Sequence, residues 1–222
     1  QAESTWEFLI THYAPGVTVA GLTINASAAA NDGPGGILGS AGPTYGQWDS
    51  GILYATEGAM QFDSADLLWM ETGNTLESVI LHEMAHVIGV GTLWDYNGLY
   101  DGSGNYTGVY GVSAYQTEFG QPSAVSVPVE LSGGAGTAGG HWDENYGGGS
   151  NTGITNPDGV DKRYELMTGW LNAPTFISRT TIQQFRDLGY TVIPEPGTAL
   201  LLISGLAALS HRRRARSSDR AL

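Results

Sequence analysis

Cysteine is absent from the 222 residues. This excludes a disulfide framework and any thiolate metal site, although it names no compartment. Charge is also scarce, at 14% of residues, too little for a coiled coil laced with ion pairs or for an acidic disordered chain. Of the 9 Lys and Arg residues, five (Arg212, Arg213, Arg214, Arg216 and Arg220) fall in the last eleven positions. Ahead of Pro194, only Lys162, Arg163, Arg179 and Arg186 stand against twenty acids (the 22 of the whole chain less Glu195 and Asp219), so 4 minus 20 gives a net of −16. A body this acidic repels phosphate backbones, which argues against nucleic acid as a partner. It suits solution outside cells and the holding of divalent cations. Long hydrophobic runs are missing too. The stretch from Gly197 to Ser210 is about 14 residues, roughly 21 Å as a helix against a bilayer core of about 30 Å.

What is present is glycine, at 33 residues, and aromatic mass, with 6 Trp and 11 Tyr in a chain that is 41% hydrophobic. That is enough for one loop-rich domain with a core, plus a tail. Residues 4–13 read as the end of an amphipathic helix stopped by Pro15-Gly16. Val17–Asn25 reads as a strand, 31–46 as a long loop, and Gly51–Phe62 as one or two short strands ending at Asp63 and Asp66. Thr75–Ile88 is the clearest helix. Leu76, Val79, Ile80, Met84 and Val87 make one apolar face, Asn74 or Thr75 caps the start, Glu77 suits the dipole of the first turn, and Gly89 stops the end. Residues 91–160 show little periodicity, and an irregular stretch of that length points to function or disorder. A second helix is expected over Ile177–Leu188 and a short strand over Gly189–Ile193. The fold class is α+β.

The chemistry is concentrated in His82-Glu83-Met84-Ala85-His86. On a helix, residues i and i+4 share a face about 5–6 Å apart, so two imidazoles there can bind one zinc ion at about 2.0–2.1 Å each. Glu83 is displaced round the helix. It can reach a water activated by the metal, take its proton and pass it to a leaving amine. The plainer alternative is a surface helix carrying these residues by chance. Against it, Gly89 follows the second histidine at the place where metzincin-type proteases turn sharply toward a third ligand. The common pattern puts that ligand three residues after the glycine, but Thr92 stands there. Of five histidines, His12 sits in the first helix and His211 in the basic tail, which leaves His141 in Gly-Gly-His-Trp-Asp-Glu. A plain loop histidine stacked on Trp142 is the other reading of His141. Glu165-Leu166-Met167-Thr168-Gly169 places a methionine in a turn-like context, and Met167 reads either as core or as the methionine turn beneath a metal. Asp63, Asp66, Asp143 and Glu144 offer oxygen to calcium, or are solvated loop acids and caps.

The order His-Glu-Met-Ala-His-Val-Ile-Gly, a long insertion, Gly-His-Trp and Glu-Leu-Met-Thr-Gly resembles the leishmanolysin family of metzincins. There, several dozen residues separate the helix from the third zinc-binding histidine. The similarity runs from about Trp6 to Val192 and takes in 31–39 and 60–66, which resemble segments of bacterial members. It implies a small twisted sheet with an active-site helix and a loop-rich C-terminal subdomain over 1–193. His82, His86 and His141 would be zinc ligands, Glu83 the catalytic base, Met167 the methionine-turn residue and Gly89 the turn glycine. Members carry more sequence ahead of Trp6-Glu7, so the resemblance implies an incomplete N-terminal end. Eukaryotic members depend on cysteines, which this chain lacks, so their substrates and anchoring do not carry over.

Residues 194–222 read Pro-Glu-Pro, a short apolar helix at 197–210, then an Arg cluster that fits a cytoplasmic stop. They resemble the PEP-CTERM sorting signal of Gram-negative bacteria. That implies export across the inner membrane, transient anchoring through 197–210, recognition by an exosortase and removal of the tail. The expected activity is cleavage of internal peptide bonds in a peptide or protein substrate at the cell surface or outside it. The rivals are a matrix or binding protein that keeps the fold without proteolysis, and a zinc hydrolase of non-peptide amides.

Overall fold

The structure is a computed structural model that describes residues 1–144 and 150–194. Residues 1–192 form one compact unit. The expected sorting segment at 197–210 and its Arg cluster lie outside the described residues. Among the described residues, no helix is long and apolar enough to cross a membrane.

The chain opens with α1 (Ala2–Leu9), shorter than the helix expected over 4–13. Ile10–Tyr13 leaves it as strand β1, drawn into an antiparallel pair with β7 (Tyr190–Val192) at the other end of the unit. The β-branched Ile10 and Thr11 suit a ladder, and the distant partner decides the conformation. Trp6 on α1 is buried and donates from Nε1 to the Leu81 carbonyl, 3.1 Å, which seats α1 against α3 (Leu76–Ile88).

The main sheet has three strands in the order β2 (Thr23–Ala29), β4 (Ile52–Asp63), β3 (Gly39–Asp49). β2 runs parallel to β4, with Thr23 opposite Glu57, and β3 runs antiparallel to it. Three expectations shift here. The strand expected over 17–25 lies at 23–29, because its ladder partners begin at Glu57. The loop expected over 31–46 ends at Leu38, and β3 begins at Gly39. The short strands of 51–62 are one twelve-residue strand. β3 is rich in Gly, Ser and Pro and carries little strand propensity. Its ladder to β4 sets its conformation, and an edge position tolerates Pro43, where the register is irregular. Along β4, residues 58, 60 and 62 are buried and 57, 59 and 61 exposed, the period of a half-buried strand. Gly58 lets α3 come close, since a Cβ there would overlap Val87.

After the short α2 (Leu67–Thr72) comes α3, where the periodicity places it. Val79, Met84 and Val87 are buried, as are all residues from Glu83 to Ile88, while Leu76 and Ile80 are half-buried. Thr75 stands at the cap position, but its side chain donates to the Met70 carbonyl at 3.3 Å instead of capping α3.

The 91–160 region holds a two-stranded pair, β5 (Asn105–Tyr106) and β6 (Val127–Pro128), and a helix α4 (Val109–Glu118) that periodicity does not signal. α4 is stabilised from outside itself. Its Tyr110 and Gly111 N–H groups donate to the Asp187 carboxylate, 3.0 and 2.9 Å, at the end of α5 (Arg179–Asp187). α5 begins two residues later than expected, capped by Ser178, whose Oγ accepts from the Thr181 N–H at 3.0 Å. Apart from Phe185, its buried residues are polar. Thr181 Oγ1 accepts from Trp142 Nε1 at 2.8 Å, Gln184 Oε1 from Trp94 Nε1 at 2.7 Å, and Asp187 Oδ2 from the Tyr106 hydroxyl at 2.9 Å. The unit is α+β, with small sheets and five α-helices among the described residues.

Candidate metal centre

α3 carries His82 and His86 one turn apart, and the loop after β6 brings His141 to them. The three Nε2 atoms form a triangle with every side 3.0 Å. Each ring is oriented by a backbone carbonyl on its other side. Nδ1–H of His82 donates to Leu166 O at 2.7 Å, that of His86 to Val90 O at 2.8 Å, and that of His141 to Thr137 O at 2.8 Å. A carbonyl can only accept, so all three Nδ1 atoms carry the proton and, in the neutral rings, all three Nε2 lone pairs point into one space. Burial lowers all three histidine pKa values. His86 falls well below its ordinary value, with His82 and His141 adding to the effect, and His141 is pushed down to about 3 by burial and then by His82. Three unprotonated lone pairs this close repel one another unless a cation sits among them, and His82, His86 and His141 form a group of three able to hold one.

Local sequence explains the placement. Gly89 has φ +136°, a conformation that favours glycine, and it ends α3 so that Val90 turns its carbonyl back to His86. Thr92, where a simpler pattern would have a ligand, donates from Oγ1 to His86 O at 2.6 Å and closes the helix end. Gly91, at φ +72°, passes so near the other side of the site that a Cβ would overlap the Gly140 carbonyl.

His141 does not stack on Trp142. Its ring stacks on His82, with centroids 5.0 Å apart and an angle of 20°, while Trp142 stacks on Trp94 at 4.7 Å and 28°. The loop is held by its backbone: Glu130 N–H donates to His141 O at 2.9 Å, and Trp142 N–H to Met167 O at 2.9 Å. The turn around Met167 therefore serves two histidines, through Leu166 O to His82 and through Met167 O to the residue after His141. Met167 itself is fully buried. Beneath it, Glu165 accepts from Met167 N–H, Ser178 N–H, Ser178 Oγ and Thr181 Oγ1 at 2.5 to 3.1 Å.

Glu83 is buried, and burial pushes its carboxyl up to about 8. It faces the first residue of β3, where a Cβ on Gly39 would lie 2.6 Å from Glu83 Oε1. The histidines and Glu83 line a cleft of about 810 Å³, with Gly39–Ala41 on one wall and Gly139 and Gly140 on another. Its described lining includes the acids Glu83 and Asp95 and no Lys or Arg.

The structure places Asp63 and Asp66 apart from this cleft lining, at the base of the 32–37 loop. Asp63 Oδ2 accepts from Asp32 and Gly33 N–H, its Oδ1 from Ala65 N–H, and Asp66 Oδ1 from Gly35 N–H. Sequence reasoning misses Gly39, Gly91 and the hub role of Glu165. Gly39 and Gly91 act through Glu83 and Gly140, distant in the chain, and Glu165 through Ser178 and Thr181 on the next element, so no local pattern marks them. No protein-family model matches the chain, and no curated protein matches it.

Proposed function

We propose that this chain is an exported zinc-dependent endopeptidase of leishmanolysin-like metzincin type, with the tail from Pro194 as its sorting signal. The observation that carries the reading is the convergence of three Nε2 lone pairs, each fixed by a carbonyl behind it, beside a buried glutamate in an open cleft. Neutral nitrogen donors in threefold array suit zinc, which when bound supplies Lewis acidity and brings the pKa of water toward neutrality. His82, His86 and His141 stay neutral at physiological pH and hold their rings in place through Nδ1. Glu83 takes the proton that the attacking water loses and delivers it to the departing nitrogen. Burial alone keeps this carboxyl protonated near neutrality; beside a divalent cation it ionises more readily.

The cleft wall supports a peptide as the substrate. β3 is the edge of its sheet, and its outer side pairs with no described strand. An extended segment laid along Gly39–Ala41 can add to that edge by main-chain hydrogen bonds, beside Glu83. The absence of Lys and Arg from the described lining favours neutral or basic segments over acidic ones.

The test is zinc content per chain together with hydrolysis of a peptide library, for the wild type, His141→Ala and Glu83→Gln. The expected result is near one zinc in the wild type and in Glu83→Gln, marked loss in His141→Ala, and turnover in the wild type only. Full zinc in His141→Ala removes it from the ligand set. Zinc without turnover in the wild type moves the reading to a binding or matrix protein.

A further inference from the structure

The protein buries several carboxylates behind the histidine site and satisfies most of them generously. Glu165 receives four hydrogen bonds. Glu118 receives three, from Arg179 N–H, Thr180 N–H and Thr180 Oγ1. Asp161 receives four, from Arg163, Thr152 and Gly153 N–H and from Thr152 Oγ1. Glu130 and Glu144 break this pattern. They are 3% and 0% exposed, yet among the described residues each has one donor, Ser132 N–H for Glu130 Oε1 and Gly169 N–H for Glu144 Oε2. Glu130 Oε2 and Glu144 Oε1 are buried with no hydrogen-bond partner. An ionised oxygen left so is strongly unfavourable unless something neutralises it.

The two side chains approach the same place. A Cβ on Gly169 would lie 3.8 Å from Glu144 Oε1 and 3.9 Å from Glu130 Cγ. The buried ammonium of Lys162 donates to the Asp143 carbonyl instead. Two carboxylate side chains that approach one another over a glycine, each with one bare oxygen, offer a donor set with nothing soft in it. Such a set selects a hard cation, and calcium tolerates the irregular coordination of a loop better than magnesium.

We infer that Glu130 and Glu144 bind a calcium ion at a second metal site, separate from the three histidines. The ion links two parts of the loop that presents His141. Glu130 holds the His141 carbonyl through its N–H and Gly139 N–H through its carbonyl, and Glu144 holds the turn after Met167 through Gly169. The site does not depend on what the histidines bind. When calcium is absent a proton on Glu144 is the competing occupant, because burial, with Glu130 and Asp143 adding to it against Lys162, pushes the Glu144 carboxyl up to about 8.

The test is calcium titration of the full chain, stripped of divalent ions and then reloaded with zinc, followed by calorimetry and thermal unfolding at about pH 7.5. The expected result is one calcium per chain and a melting temperature higher by roughly 5–10 °C at a hundredfold excess over the dissociation constant. Glu144→Gln and Glu130→Gln should each abolish the calcium-dependent rise while zinc content stays that of the wild type. No calcium uptake by the wild type overturns the proposal without recourse to any variant. An undiminished rise in both variants overturns the assignment to these residues. Failure of the zinc assay leaves the calcium result standing, since its readout is uptake and melting.

Discussion

The helix side of the site and the loop side are built on different physics. α3, with β4 beneath it, is held by periodic burial and by the hydrogen bonds of a regular helix and sheet. Among its described residues, the 91–176 region has few regular elements. It relies on side chains that tie one segment to another, such as Glu165 joining the Met167 turn to Ser178 and Thr181 at the start of α5, and on the indoles of Trp94 and Trp142 bonded to α5. Two of the three histidines belong to the first kind of structure and one to the second. The loop side should therefore lose the metal first when the fold is perturbed.

Substitutions can break this contrast at graded cost. The largest effect is expected from Trp142→Ala, which removes a fully buried indole, its stack on Trp94 and its bond to Thr181. It should cost about 3–5 kcal/mol and loosen the backbone beside His141, so urea unfolding and zinc content should fall together. Gly91→Ala comes next, at about 2–3 kcal/mol for a left-handed backbone and an overlap with Gly140. Circular dichroism should show α3 intact while zinc affinity drops.

A third effect is on pH dependence. Glu144 has a folded pKa raised from 4.5 to about 8, so the folded state holds the proton that the unfolded state releases. In calcium-free protein its contribution is full below pH 4.5 and is lost as the pH rises toward 8. The loss is of order 2 kcal/mol, less than the whole shift would convert to, because nearby solvent screens the charge. Glu144→Gln should flatten that slope in unfolding curves measured from about pH 5 to 8. The smallest effect is expected on the helix side: Thr75→Ala should cost under about 0.5 kcal/mol, below an ordinary cap deletion, because its hydroxyl does not cap α3.

The same contrast explains what the sequence reveals by itself. α3 is legible because Val79, Met84 and Val87 repeat at helical spacing and Gly89 follows, and the pair His82 and His86 comes with it. β3 is not, because Gly39, Gly42, Pro43 and Gly46 carry no strand signal and only the ladder to β4 makes them one. α4 is not, because the donors at its start are satisfied by Asp187, about 76 residues away. His141 is reached by elimination and family resemblance, since its approach to His82 and His86, 59 and 55 positions back, belongs to the fold of a loop and not to a spacing. Glu144 stands among the candidate calcium ligands, but its partner Glu130 lies fourteen positions back in a stretch without a motif.

The pairing of β1 with β7 gives the unit a mechanical character. Ile10 lies opposite Val192 and Tyr13 opposite Tyr190, so the two outer ends of the strands sit side by side in a short antiparallel pair. A pull applied through the residues before Ile10 and after Val192 would open that pair one rung at a time, like a zipper, without shearing it. The opening would run until it met the rings of Tyr13, Tyr54 and Tyr190, whose centroids lie 5.3 to 5.6 Å apart. Force applied at the outer ends of β1 and β7 would thus be taken up by a sacrificial clasp, with the three-tyrosine cluster as the stop behind it.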